Sequence, residues 1–209
     1  MFVTKKIKLK NNHIKKTIMR KAIILFAAVM LGTAAFAQTT WTNDKMHSKL
    51  GFTITHLSVS DVDGIFTDFT CTITASKPDF SDAQFQLTVN TTSINTDVDY
   101  RDKDLRSASY FDVAKYPTIT FKSTGVSTVS ANHYKLSGNL TLHGVTKPVT
   151  LDLWYRGTIV NPMTKKDDAG FKLTGTINRT DFGIAPNAPN AMLSTDVIIN
   201  ANGEFAKAQ

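Results

Sequence analysis

VTLDLWYRGTI, residues 149–159, decides the fold. Val149, Leu151, Leu153, Tyr155, Gly157 and Ile159 fall on every second position. A period of two puts alternate side chains on opposite faces of a β-strand, whereas a helix repeats its apolar face every three to four residues. Working outward, the same alternation recurs on both sides. Upstream lie Tyr134, Leu136, Gly138, Leu140 and Leu142, then Ile119 and Phe121, then Phe85, Leu87 and Val89, then Phe69, Cys71, Ile73 and Ala75, then Phe52-Thr53-Ile54. Downstream lie Phe171, Leu173, Gly175 and Ile177, then Val197, Ile199 and Ala201. About eight strands emerge. Each has an apolar face and a face rich in Thr, Ser, Asn and Lys, a composition that suits strands.

Turn residues punctuate the runs at Asp63-Gly64, at Asn161-Pro162 with Asp167 to Gly170, and from Pro186 to Asn190. Strands this long in one domain tend to close into a barrel, which removes exposed edges. Gly138, Gly157 and Gly175 recur mid-strand, where they allow sharp bends or leave interior room for a ligand. One segment breaks the alternation. From Val98 to Tyr110, the spacing of Val98, Leu105 and Ala108 predicts a short helix, with Asp97 or Asp99 as its cap and Pro117 preventing continuation.

The chain has 209 residues and a formal charge of +7. Residues 1–37 hold eight basic side chains and no acidic one, so the rest has 16 basic against 17 acidic groups. The basic character belongs to the leader, and the remainder offers no electrostatic case for nucleic acid or anionic lipid. Arg20-Lys21, the apolar run Ala22 to Leu31 and Ala35-Phe36-Ala37 read as a signal peptide with its core at 19–37, cleaved before Gln38. Ten apolar residues are too few for a stable membrane anchor. The expected product is one domain over 38–209, periplasmic or secreted. Cys71 is alone and reads as a small buried hydrophobe.

Catalytic templates are missing: the sequence has no G-x-S-x-G, Walker loop, H-E-x-x-H or C-x-x-C. Asp61-Val62-Asp63-Gly64 lacks the remaining calcium-loop ligands and reads as a turn. His47, His56, His133 and His143 form no H-x-H pair, and no metal site or cofactor is expected. Arg101, Asp102, Lys103, Asp104, Leu105 and Arg106 are the distinctive charged cluster. Arg101–Asp104 and Asp102–Arg106 have the spacing of surface pairs on a helix. Alternatively, the cluster gates an anionic head group, for which Arg is suited.

Five blocks occur in order: HSKLGFTITHL (47–57), GIFTDF (64–69), RDKDLRSASYFDVAKYPTITF (101–121), LTLHGVTKPV (140–149) and INRTDFGI (177–184). Together they make the chain resemble the YceI-like family of periplasmic, lipocalin-like polyisoprenoid-binding proteins. The resemblance implies an all-β fold, an antiparallel lipocalin-like barrel of about eight strands with one short helix in a connection. It also implies an apolar tunnel for an isoprenoid or other long-chain lipid and no catalytic residues. Asp104 stands where the family often has His, and Ser109-Tyr110 where it often has Asp-Phe. A neutral amide or quinone-like head therefore stands beside a diphosphate as a candidate. On the apolar phases of the strands, Phe66, Phe85, Leu87, Phe121, Leu140, Leu142, Leu151 and Phe171 are expected to line the interior. Arg101, Asp104 and Arg106 are expected near the ligand's polar end. Two alternatives stay open. One is an enzyme acting on a lipid head group through Asp104, Arg101 or His143; the other is a filled barrel with a stress or structural role. The sequence leaves the oligomeric state open, a homodimer included.

Overall fold

A computed structural model describes residues 38–208; the leader and its cleavage site lie outside the described residues. Eleven strands form one antiparallel sheet. They are β1 (Thr39–Asn43), β2 (Lys49–His56), β3 (Ser60–Phe66), β4 (Phe69–Ala75), β5 (Gln84–Asn90), β6 (Ile94–Asn95), β7 (Thr118–Ser130), β8 (His133–Leu142), β9 (Val145–Val160), β10 (Asp167–Asn178) and β11 (Leu193–Lys207). The order is β1-β4-β5-β7-β8-β9-β10-β11, and β1 pairs back onto β11 to close the ring. The first six elements are halves of three bent strands. β1 pairs with β4 while β2 pairs with β3, and β5 pairs with β4 while β6 pairs with β3. The barrel therefore has eight long strands, as the alternation predicts, and no free edge along the closed part.

The expected helix is shorter than predicted. Helix α1 covers Asp99–Leu105, and its N-cap is Val98, with no side-chain cap bond. Asp97 instead adopts a positive φ, and Asp102 turns back onto Thr96. Two predicted turns are also corrected. Asp63-Gly64 lies inside β3, and Asp167 to Gly170 opens β10. The tip of the Phe52 ring lies over Gly64, where a Cβ would stand 2.3 Å from it, so the ring would have to shift for any other residue. The real turn is Leu57–Val59, which carries no turn residue at all apart from Ser58.

The mid-strand glycines divide. At Gly138 and Gly175 the space is filled by Phe121 and Leu151, whose side chains would meet a Cβ at 2.4 Å in each case. Gly157 has φ +119 and faces the register shift between Gly170 and Phe171, a bulge that only glycine accommodates without strain.

Two apolar clusters fill the barrel. One, at the end away from α1, is aromatic: Phe80, Tyr155 and Phe171 pack with centroids 4.9–5.4 Å apart. The other, under α1, joins Phe66, Val89, Ile94, Leu142, Ile177 and Phe182. Between them the barrel is not full.

Candidate functional site

The inward phase of the strands encloses a cavity of about 480 Å³, within the usual range for a small-molecule site. Its wall is built mainly from Leu, Ile, Val and Phe side chains of every strand except the short β1 and β6. Ten of the eleven sequence-predicted residues lie on that wall: Phe66, Phe85, Leu87, Arg101, Asp104, Phe121, Leu140, Leu142, Leu151 and Phe171. Arg106 does not. Cys71 lies on the wall, half-buried, and burial pushes its thiol up to about 12, so it behaves as an apolar lining group.

The cavity reaches the surface at the α1 end, where the exposed His56, Tyr100 and Asp104 belong to its wall, and again beside Lys49 and Asn202. The charged cluster of α1 is mostly engaged with backbone. Arg101 donates from Nε to Thr96 Oγ1 and from Nη2 to the Thr96 carbonyl, both at 2.8 Å. The buried Asp102 accepts from Thr96 N at 2.8 Å and from its Oγ1 at 2.6 Å. Arg106 donates to the carbonyls of Thr92 (2.8 Å) and Ile94 (2.5 Å). The predicted pairs Arg101–Asp104 and Asp102–Arg106 do not occur among the ion pairs of the described residues. The reason is positional: the segment Thr92–Thr96 runs beside α1 and offers carbonyls at closer range than the helix's own acids. Arg101 and Arg106 thus pin α1 over the barrel end, and Asp104 is left exposed at the rim.

Sequence reasoning assigned no role to Arg179. It is 2% exposed and on the cavity wall, and all of its N–H groups point at carbonyls. Nε donates to Ser194 (2.9 Å), Nη1 to Ile184 (2.9 Å) and Ala185, and Nη2 to Ala188 (3.1 Å) and Leu193 (2.8 Å). Burial pushes its pKa down, and Tyr110 opposes that shift. Its sequence signal was only its place in the INRTDFGI block, because its partners are backbone atoms. Arg179 moulds the uncharged segment 184–194 into the cavity's second rim.

His143 is off the cavity wall. Its Nδ1 meets the Phe182 carbonyl at 3.1 Å, and its ring packs on Tyr116. The structure therefore does not bring together the three groups named for an enzyme reading. Elsewhere, donor atoms of Asp44, His47 and Glu204 lie within 4.8 Å of one another at the surface. His47 Nδ1 donates to the Asp44 carboxylate at 2.9 Å, which raises the pKa of His47 above its ordinary value and lowers that of Asp44. An exposed ion pair accounts for that grouping.

Fold and cavity together define a closed antiparallel barrel around one apolar chamber capped by a short helix. A family model described as a YceI-like domain matches residues 41–205. The chain belongs to that family. Protein YceI of Salmonella newport is 37% identical over 189 residues, covering 88% of this chain and 98% of that protein. The crystal structure of Campylobacter jejuni YCEI protein is 30% identical with a TM-score of 0.68, covering 75% of this chain and 91% of that one. A polyisoprenoid binding domain from Saccharophagus degradans, implicated in plant cell wall breakdown, shares the fold at 16% identity and a TM-score of 0.61, covering 81% of this chain and 98% of that chain.

Proposed function

We propose that this protein binds a long-chain isoprenoid or related lipid in the periplasm, with the tail in the barrel and the polar end at the α1 rim, and so carries or sequesters it. The carrying observation is the continuous apolar wall of the 480 Å³ cavity. An isoprenoid tail has no hydrogen-bonding group, so such a wall offers all that it needs. Each buried CH₂ contributes about 0.8 kcal/mol before ordering costs. The polyisoprenoid-binding neighbour supports the ligand class. The export signals in the sequence of the leader, Arg20-Lys21, the apolar run Ala22–Leu31 and Ala35-Phe36-Ala37, support the compartment, where a lipid crossing water needs a shield.

One experiment reads both halves. Protein expressed from the full gene is recovered from the periplasmic fraction without detergent, and its mass is measured under native conditions. The expected species begins at Gln38 and carries a lipid adduct that is lost on denaturation. A species retaining the apolar run Ala22–Leu31 sinks the export half. A bare barrel that also fails to take up geranylgeraniol sinks the ligand half.

A further inference from the structure

The hairpin Leu57–Val59 breaks two rules at once. Leu57 has φ 51° and Ser58 φ 57°, the left-handed region where a bulky side chain is a genuine outlier and glycine or asparagine is the ordinary choice. The tip is also apolar in open solvent: Leu57 is 52% exposed and Val59 83%. Residues held in such conformations persist where the surrounding structure fixes them, and they cluster at functional sites.

A second segment joins it. Leu57 N donates to the Met192 carbonyl at 2.9 Å, and Ser58 Oγ to that of Ala191 at 3.3 Å. Met192 is itself 52% exposed. Residues 50–60 and 182–195 contain no Asp, Glu, Lys or Arg, so the joined surface is free of formal charge apart from any on His56. This surface borders the cavity's opening: His56 and Leu193, the chain neighbours of Leu57 and Met192, are on the cavity wall. The exposed Tyr100 of α1 is also on the cavity wall. The exposed or half-buried charged residues of β3 and of the segment Asp97–Leu105, two elements that contribute to the cavity wall, are mainly acidic: Asp61, Asp63, Asp97, Asp99 and Asp104 against Arg101 and Lys103.

We infer that Leu57, Val59 and Met192 dock the open end of the barrel onto the interfacial zone of a lipid bilayer of low surface charge. This rests on the lipid-carrier reading. A chamber that takes a tail insoluble in water must open where that tail is dissolved. An apolar tip beside the opening inserts between head groups without burying a charge. The acidic surround selects against an anionic leaflet, since the field of anionic lipids attracts basic segments and repels acidic ones. A second copy of the chain is the rival occupant.

The test uses the mature protein in flotation with phosphatidylcholine vesicles, and with vesicles of phosphatidylcholine and phosphatidylglycerol in equal parts. Geranylgeraniol uptake from detergent solution is measured in parallel. Wild type is expected to float with the neutral vesicles and less with the anionic ones. Val59→Asp is expected to lower the neutral-vesicle partition about tenfold or more, the scale of withdrawing one apolar side chain. Leu57→Gly removes the strained side chain, so it is expected to weaken flotation while leaving the melting temperature equal or higher. Both variants are expected to keep geranylgeraniol uptake from solution, because neither residue lines the cavity. Flotation of both variants equal to wild type, or no flotation of wild type, overturns the docking surface. Retained uptake in that case leaves the carrier reading standing. A dimer that Val59→Asp converts to monomer with flotation unchanged assigns the patch to self-association and also overturns it.

Discussion

Arg179 shows what one residue does where no sequence pattern announces it. A guanidinium has five N–H donors in a rigid fork, and each finds a carbonyl between Ile184 and Leu193 or at Ser194. A buried cation without a carboxylate partner is tolerable only because those dipoles replace its hydration. Removing it leaves several buried carbonyls unpaired, at roughly 1–3 kcal/mol each where water does not reach them. Arg179→Ala is therefore expected to cost about 3 kcal/mol or more in urea unfolding. Arg179→Lys is expected to recover only part of this, because an ammonium has three donors and no fork. An unchanged midpoint in Arg179→Ala would show that segment 184–194 holds itself. Arg101 and Arg106 belong to the same type: their Nε and Nη2 groups are engaged on Thr92, Ile94 and Thr96. Sequence spacing suggested acid partners because it sees only side chains.

At the scale of elements, alternation was legible wherever a strand is long and one face is buried. β9 is the clearest case: Leu151, Leu153 and Tyr155 are buried while Thr150, Asp152 and Trp154 are outward. The same phase that fills the core lines the cavity, which is why all eight predicted apolar residues fall on its wall. The five-residue β1 went unseen as too short for a period to register, and β3 was hidden by Asp61, Asp63 and Gly64, which imitate a loop. The two acids are outward on that strand and accept from Thr53 and Thr55 across the hairpin, at 2.5 and 2.8 Å. The register makes a sharp contrast between neighbours. Leu151→Asp places an unpaired carboxylate among apolar side chains and is expected to destabilise by several kcal/mol or to unfold the barrel. Thr150→Asp, one position away, is expected to stay within about 0.5 kcal/mol. Thermal melts of the two variants check this, and equal losses would mean that β9 is paired one residue out of step.

On the scale of the whole molecule, the core and the chamber are one set of side chains. Phe85, Phe121, Leu142, Leu151 and Phe171 are buried by neighbouring strands and also face the cavity. The barrel thus gives up part of the close packing that a filled interior would have, and the empty space lacks its dispersion contacts. A tail that enters restores them, so ligand and fold are linked: whatever binds only the folded state raises stability by about 2.7 kcal/mol at a hundred times its Kd. Tail length should control that gain, since each added CH₂ brings about 0.8 kcal/mol while wall remains to cover. For isoprenoid alcohols of increasing length at one fixed concentration, the rise in melting temperature of the delipidated protein is expected to grow with each isoprene unit. It should then level off once the tail outgrows the space between the aromatic cluster and the α1 rim. A short alcohol with the same head should produce almost no shift, because the rim arginines are already engaged with carbonyls. A shift that depends on the head and not on the length would move the affinity from the chamber to the rim, and would leave the apolar interior as core alone.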